Sequence, residues 1–97
     1  MSGRHHYLVS YDIADDKRRS NVFDALEDNG DHVQYSVFIC ELNKVEVTRL
    51  AAELGDCIHN DEDQVMILNL GSASVPLETA LECIGKPYAP PSRVQIV

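Results

Sequence analysis

Tyr7-Leu8-Val9-Ser10-Tyr11-Asp12-Ile13, followed by Ala14-Asp15-Asp16-Lys17-Arg18-Arg19, decides the fold. The first seven residues are rich in aromatic and β-branched side chains and run into aspartates, so they read as a strand. Asp15-Asp16 supply N-cap chemistry for a helix that carries Val22, Phe23 and Leu26 on one face and closes at Gly30. The chain therefore starts as strand, then helix.

Downstream, His32 to Leu42 reads as a long second strand. Asn43 with Glu46 three residues later forms an asparagine-started capping box, which opens a second helix with Val47, Leu50, Ala51 and Leu54 as its buried stripe. Gly55 is expected to end that helix, and Asp63 to Gly71 is a further apolar strand. A fourth strand would complete a β-α-β-β-α-β order, and His32 to Leu42 is either one bent strand or two with a tight break. We expect an α+β, ferredoxin-like domain spanning 1–97. Its core is 1–71, and 72–97 is a proline-stiffened linker (Pro87, Pro90, Pro91) feeding a last strand, Val94-Gln95-Ile96-Val97.

Composition narrows the functional classes. Apolar residues are 44% and charged residues 25% of 97, which suits a folded domain rather than a disordered chain. No apolar run reaches the roughly 18 residues of a membrane helix, and Met1 to His6 lacks the apolar region of a signal peptide, so a cytoplasmic protein without a membrane partner is expected. Cys40, Cys57 and Cys83 fit neither a disulfide framework nor a zinc site. The net charge of -8 argues against broad attraction to nucleic acid, so any such binding must be local. Lys17-Arg18-Arg19 is the only cluster of cations.

Alternation along the strands divides their side chains. Tyr7, Val9, Tyr11 and Ile13 with Val33, Tyr35, Val37 and Ile39 are expected beneath the helices. Leu8, Ser10 and Asp12 with Gln34, Ser36, Phe38 and Cys40 form a mixed face suited to a wet protein interface. Asp12 stands where the first strand runs out, beside the basic cluster. A carboxylate is a hard ligand suited to Mg²⁺, and a symmetric dimer presents it twice, so two Asp12 side chains could share one ion. The alternative is that Asp12 merely accepts backbone N–H bonds in the strand-to-helix turn.

Other chemistry-bearing residues have plainer readings. The adjacent His5 and His6 lack a third ligand at metal spacing and are expected to be exposed and idle. Asp61-Glu62-Asp63 lacks the pattern of a calcium loop and is expected to be a solvated turn. Tyr7, Tyr11 and Tyr35 are read as core rather than a base-stacking platform. No nucleophilic triad, phosphate-cradling glycine loop or nucleotide fingerprint is present.

Tyr7-Leu8-Val9-Ser10-Tyr11-Asp12-Ile13, Asp16-Lys17-Arg18-Arg19 with Val22, Leu26 and Gly30, and Gln34-Tyr35-Ser36-Val37-Phe38 together resemble the CRISPR-associated endoribonuclease family, the small, second core protein of CRISPR spacer adaptation. The resemblance implies a homodimer whose sheets pack face to face, with each C-terminal strand added to the partner's sheet. It implies Asp12 as the catalytic and metal-binding residue, with Mg²⁺ or Mn²⁺ shared between two copies. It implies Arg18 and Arg19 as nucleic-acid-binding positions, and Ser36 and Phe38 at the dimer interface. His32 stands where family members often carry an arginine, which makes phosphate contact there weaker and pH-sensitive. The first helix, often basic in the family, carries Asp24, Glu27 and Asp28 here.

Three functions follow as expectations. One is a homodimeric scaffold that holds DNA and bridges integrase subunits during spacer acquisition. Another is a metal-dependent phosphodiesterase cutting RNA or DNA, and the third is an unrelated ferredoxin-like regulatory dimer. The acidic first helix favours a role that needs a partner.

Overall fold

The computed structural model describes residues 3–89. Strand β1 spans His5–Asp12. Asp15 then caps helix α1, Asp16–Glu27, its carboxylate accepting the Arg18 amide at 2.9 Å. This satisfies one of the donors that a helix start leaves without an intrahelical partner. Strands β2, Asp31–Gln34, and β3, Val37–Leu42, form a hairpin. Helix α2, Lys44–Cys57, opens on the expected capping box: Glu46 N donates to Asn43 Oδ1 at 2.8 Å and Asn43 N to Glu46 Oε1 at 2.9 Å. Strand β4 spans Gln64–Ser72, and a single 3-10 turn, Leu77–Thr79, follows.

The sheet order is β2-β3-β1-β4 with every neighbouring pair antiparallel. This is the ferredoxin-like arrangement, and the break in the His32–Leu42 run falls at Tyr35 and Ser36. Sequence pattern allowed the break without placing it, because neither residue is Gly, Asn or Asp. Tyr35 adopts φ 36°, a left-handed conformation that disfavours a bulky side chain. The Tyr35 carbonyl accepts from His32 Nε2 across the turn.

Both helices cover one face of the sheet. Tyr7, Val9, Tyr11 and Ile13 lie buried there against Val22, Ala25 and Leu26 of α1 and Leu50 and Leu54 of α2. The register Val9↔Phe38 and Tyr7↔Cys40 puts Phe38 and Cys40 on that same face, each 0% exposed. This corrects the expected division of the second strand. Phe38 is a core residue, packed near Phe23 and Tyr11, and its side chain is not open to a partner as expected for the interface. Tyr35, expected in the core, is 91% exposed. Val37 and Ile39 face the other side with Leu8 and Ser10.

Among the described residues no α-helix covers that second face. Met66 and Leu68 on β4 remain 48% exposed, beside Ser10 and Leu8 respectively. Over β2 and β3, the segment after the 3-10 turn brings Leu81 and Tyr88 across Leu8, Val33 and Ile39, leaving a groove of about 500 Å³. The expected last strand, Val94 to Val97, lies outside the described residues. Helix α2 also runs past Gly55 to Cys57, so that glycine does not end it.

Candidate metal and nucleic-acid site

Asp12 ends β1 opposite Gln64 of β4. Its neighbours Tyr11 and Ile13 point into the core, so alternation turns Asp12 to the helix-free face, where it is exposed. Its carboxylate has no hydrogen-bond or ion-pair partner among the described residues. The turn chemistry that Asp12 might have supplied belongs to two other aspartates. Asp15 caps α1, and Asp63 Oδ1 accepts the amide of Ala14 at 3.0 Å. Asp12 is thus left available to a ligand.

Asp63 is the residue that sequence reasoning missed. Expected in a solvated turn, its side chain is 0% exposed. Arg18 grips it at two points, Nε to Oδ2 at 2.7 Å and Nη2 to Oδ1 at 3.2 Å, while His59 N donates to Oδ2 at 2.8 Å. The bond from Arg18, then those from the His59 and Ala14 amides, hold the Asp63 carboxyl far below the usual carboxylate range, against the opposing effect of desolvation. Bonding to Asp63 likewise raises the Arg18 value. An acid directly before an apolar strand was the available signal.

The basic cluster is split by these contacts. Arg18 also reaches Glu62 Oε1 at 3.1 Å and is largely covered. Arg19 pairs with Asp16 at 2.6 Å, but Asp16 is 97% exposed, so that link is a weak surface one. Lys17 is exposed and has no ion-pair partner among the described residues.

His32 lies on β2, its ring 5.2 Å from that of Phe23 and 4.9 Å from that of Phe38. It sits on the hairpin, away from the Lys17-Arg18-Arg19 segment in sequence, with an exposed edge. Ser36 is tied to its own chain, accepting the Tyr11 amide on its carbonyl at 3.1 Å. Burial raises the Tyr11 hydroxyl value, an effect opposed by its bond with Ser36 and by the charge of Arg19. His5 and His6 are not idle terminal residues. Both belong to β1, with His5 Nδ1 2.9 Å from Asn69 Oδ1 and His6 Nε2 4.0 Å from Glu41.

Among the described residues no three His, Cys, Asp or Glu side chains converge as a metal site. A site at Asp12 therefore needs ligands from a second copy, a nucleic-acid phosphate or water. No helix of the described residues is long and apolar enough to cross a membrane.

The sequence profile of the family described as CRISPR associated protein Cas2 matches residues 5–75, a span that runs from β1 through β4. The chain belongs to the Cas2 family. A Geobacter sulfurreducens protein named CRISPR-associated endoribonuclease Cas2 is 32% identical over 93 residues, covering 96% of this chain and 97% of its own. A Rhodospirillum rubrum relative, CRISPR-associated endoribonuclease Cas2 1, is 38% identical over 87 residues, 90% and 84% of the two chains. The crystal structure of Streptococcus pyogenes Cas2 superposes with a TM-score of 0.71 at 27% identity, over 82% of this chain and 99% of that one. A hypothetical protein of Thermus thermophilus superposes with a TM-score of 0.77 at 28% identity, over 92% and 100%. The Cas2 resemblance and the ferredoxin-like fold expected from the sequence are both borne out.

Proposed function

We propose that this Cas2-family chain works in the cytoplasm as a homodimer in CRISPR spacer acquisition, holding DNA and bridging integrase subunits. The helix-free sheet face carries the reading, because Met66 and Leu68 stand half exposed on β4 beside Ser10 and Leu8, an apolar strip that the following segment leaves open and a second copy would cover. Lys17 and Arg19 at the end of that sheet supply local phosphate attraction on a chain whose net charge is -8. His32 adds a weaker contact on the hairpin, and Ser36 lies at the rim of the interface.

A second activity is favoured by the unpartnered carboxylate of Asp12: cutting of RNA or DNA with a divalent metal. The curated relatives carry the name endoribonuclease, which supports this reading. The donor fits, since a hard, exposed carboxylate suits Mg²⁺ or Mn²⁺, and two Asp12 side chains related by a dimer axis would hold one ion with phosphate oxygens. Such an ion supplies Lewis-acid polarisation of a phosphodiester. The chain's own part is to keep that carboxylate uncapped, and to steady the phosphate with Arg19.

The test is a cell whose own copy of this gene is replaced by a variant, scored for new spacers, with cutting of RNA and DNA measured in parallel. Lys17→Ala with Arg19→Ala should reduce acquisition. Asp12→Asn should abolish cutting and leave acquisition nearly intact. Lost acquisition in a folded, dimeric Asp12→Asn protein would make hydrolysis the biological role, and undiminished cutting in that variant would remove Asp12 from the chemistry.

A further inference from the structure

Three adjacent cations follow β1, yet the fold treats them differently. Arg19 holds a solvent-exposed aspartate that it can exchange for another anion, and Lys17 is exposed with no ion-pair partner among the described residues. Arg18 instead gives Nε and Nη2 to a carboxylate with no solvent exposure. Drawing the guanidinium toward a phosphate would leave that carboxylate buried without its counter-charge, which is strongly unfavourable.

The buried pair also touches the site from several sides. Asp63 receives the amide of Ala14, two residues beyond Asp12. Its chain neighbour Gln64 is the cross-strand partner of Asp12. The Arg18 amide is bound by the α1 cap Asp15, and the His59 amide ties the α2–β4 connection to the same carboxylate. One ion pair thus joins the end of β1, the first turn of α1 and the start of β4.

We propose that Arg18 is a positioning residue rather than a phosphate ligand: paired with Asp63, it fixes the β1–α1 connection so that Asp12, Lys17 and Arg19 keep one arrangement. This rests on reading that end of the sheet as the nucleic-acid surface. The two ideas predict opposite signs for Asp63. If Arg18 contacted phosphate, neutralising Asp63 would release a cation and tighten binding. As a clamp, neutralising either partner loosens the surface and weakens binding.

The experiment titrates a fluorescein-labelled DNA duplex with the full chain over a series of salt concentrations, at a temperature where each variant is shown folded. Arg19→Gln should lower the slope of log K against log salt by about 0.9 for each phosphate that the variant leaves unneutralised. Arg18→Gln and Asp63→Asn should each weaken binding several-fold with the slope unchanged, and the double variant should be no weaker than either. A reduced slope in Arg18→Gln, tighter binding in Asp63→Asn, or unaltered binding in both would overturn the proposal. Hydrogen exchange separates this from failure of the nucleic-acid reading. The Ala14 and His59 amides should exchange faster in Arg18→Gln, and protection equal to that of the natural chain would overturn the clamp. Faster exchange in a protein whose natural chain binds no duplex would retain the clamp and discard the surface.

Discussion

A Cβ built on Gly30 lies 2.5 Å from Cys40 Sγ and the same distance from the Ile39 carbonyl oxygen. Glycine is required there by close approach of the α1–β2 turn to β3, with no left-handed backbone involved. The Ile39 contact is with backbone, so a side chain at 30 forces the strand or the turn to move. Gly30→Ala should destabilise the fold by roughly 1–3 kcal/mol, the usual range for overpacking, as read from urea unfolding. Natural stability in that variant would show that the turn shifts freely.

Gly55 is the opposite case. It lies inside α2, and a Cβ there would meet nothing within 4 Å. Gly55→Ala should raise stability by about 0.5–1 kcal/mol through helix propensity and a less flexible unfolded chain. A lower unfolding midpoint would mean that this surface serves another contact.

Cys40 and Cys83 should differ chemically. Burial, aided by the charge of Asp31, pushes the Cys40 thiol up to about 11, so it stays protonated at neutral pH, whereas Cys83 is exposed. A maleimide at neutral pH should modify Cys40 only after denaturant is added. Labelling of Cys40 in the folded protein at the rate of Cys83 would show that the core opens locally.

The elements whose ends are marked by local chemistry were legible in the sequence: β1, the Asp15 cap, the Asn43–Glu46 box and β4 all lie close to where pattern placed them. The turn between β2 and β3 was hidden because Tyr35 holds a conformation its residue type disfavours, and only tertiary context imposes it. The facing of β3 was hidden for another reason. Phe38 and Cys40 on one side, and Val37 and Ile39 on the other, are both apolar sets, so alternation cannot say which the helices cover; the register with Val9 and Tyr7 does. At the site, Asp12 was legible from its place at a strand end. The distinction between Arg18 and Arg19 was not, because it depends on Asp63, 45 residues away from Arg18.

Acid should loosen the same region. Because the folded Asp63 carboxyl is held below its unfolded value of roughly 4, its contribution is fully present above that pH and is lost as pH falls toward the folded value. Urea midpoints of the natural chain should therefore fall on acidification below about pH 4, and Asp63→Asn should show a shallower decline. Parallel pH profiles for the two proteins would mean that Asp63 carries none of the acid sensitivity.

The helix-free face gives the last prediction. Leu68 lies opposite Leu8 on that face and is half exposed, so a charge there disturbs little of the chain's own core. Leu68→Glu should change the stability of the isolated fold by no more than about 1 kcal/mol, as expected for a substitution outside the packed interior. In a face-to-face dimer the same carboxylate would be buried against apolar side chains without a counter-charge, which strongly opposes association. Light scattering should accordingly show a dimer for the natural chain and a folded monomer for Leu68→Glu, with Lys17 and Arg19 unchanged. A variant that stays dimeric would place the interface elsewhere than on this sheet face. A natural chain that is monomeric at micromolar concentration would remove the homodimer and, with it, any metal site built from two Asp12 side chains.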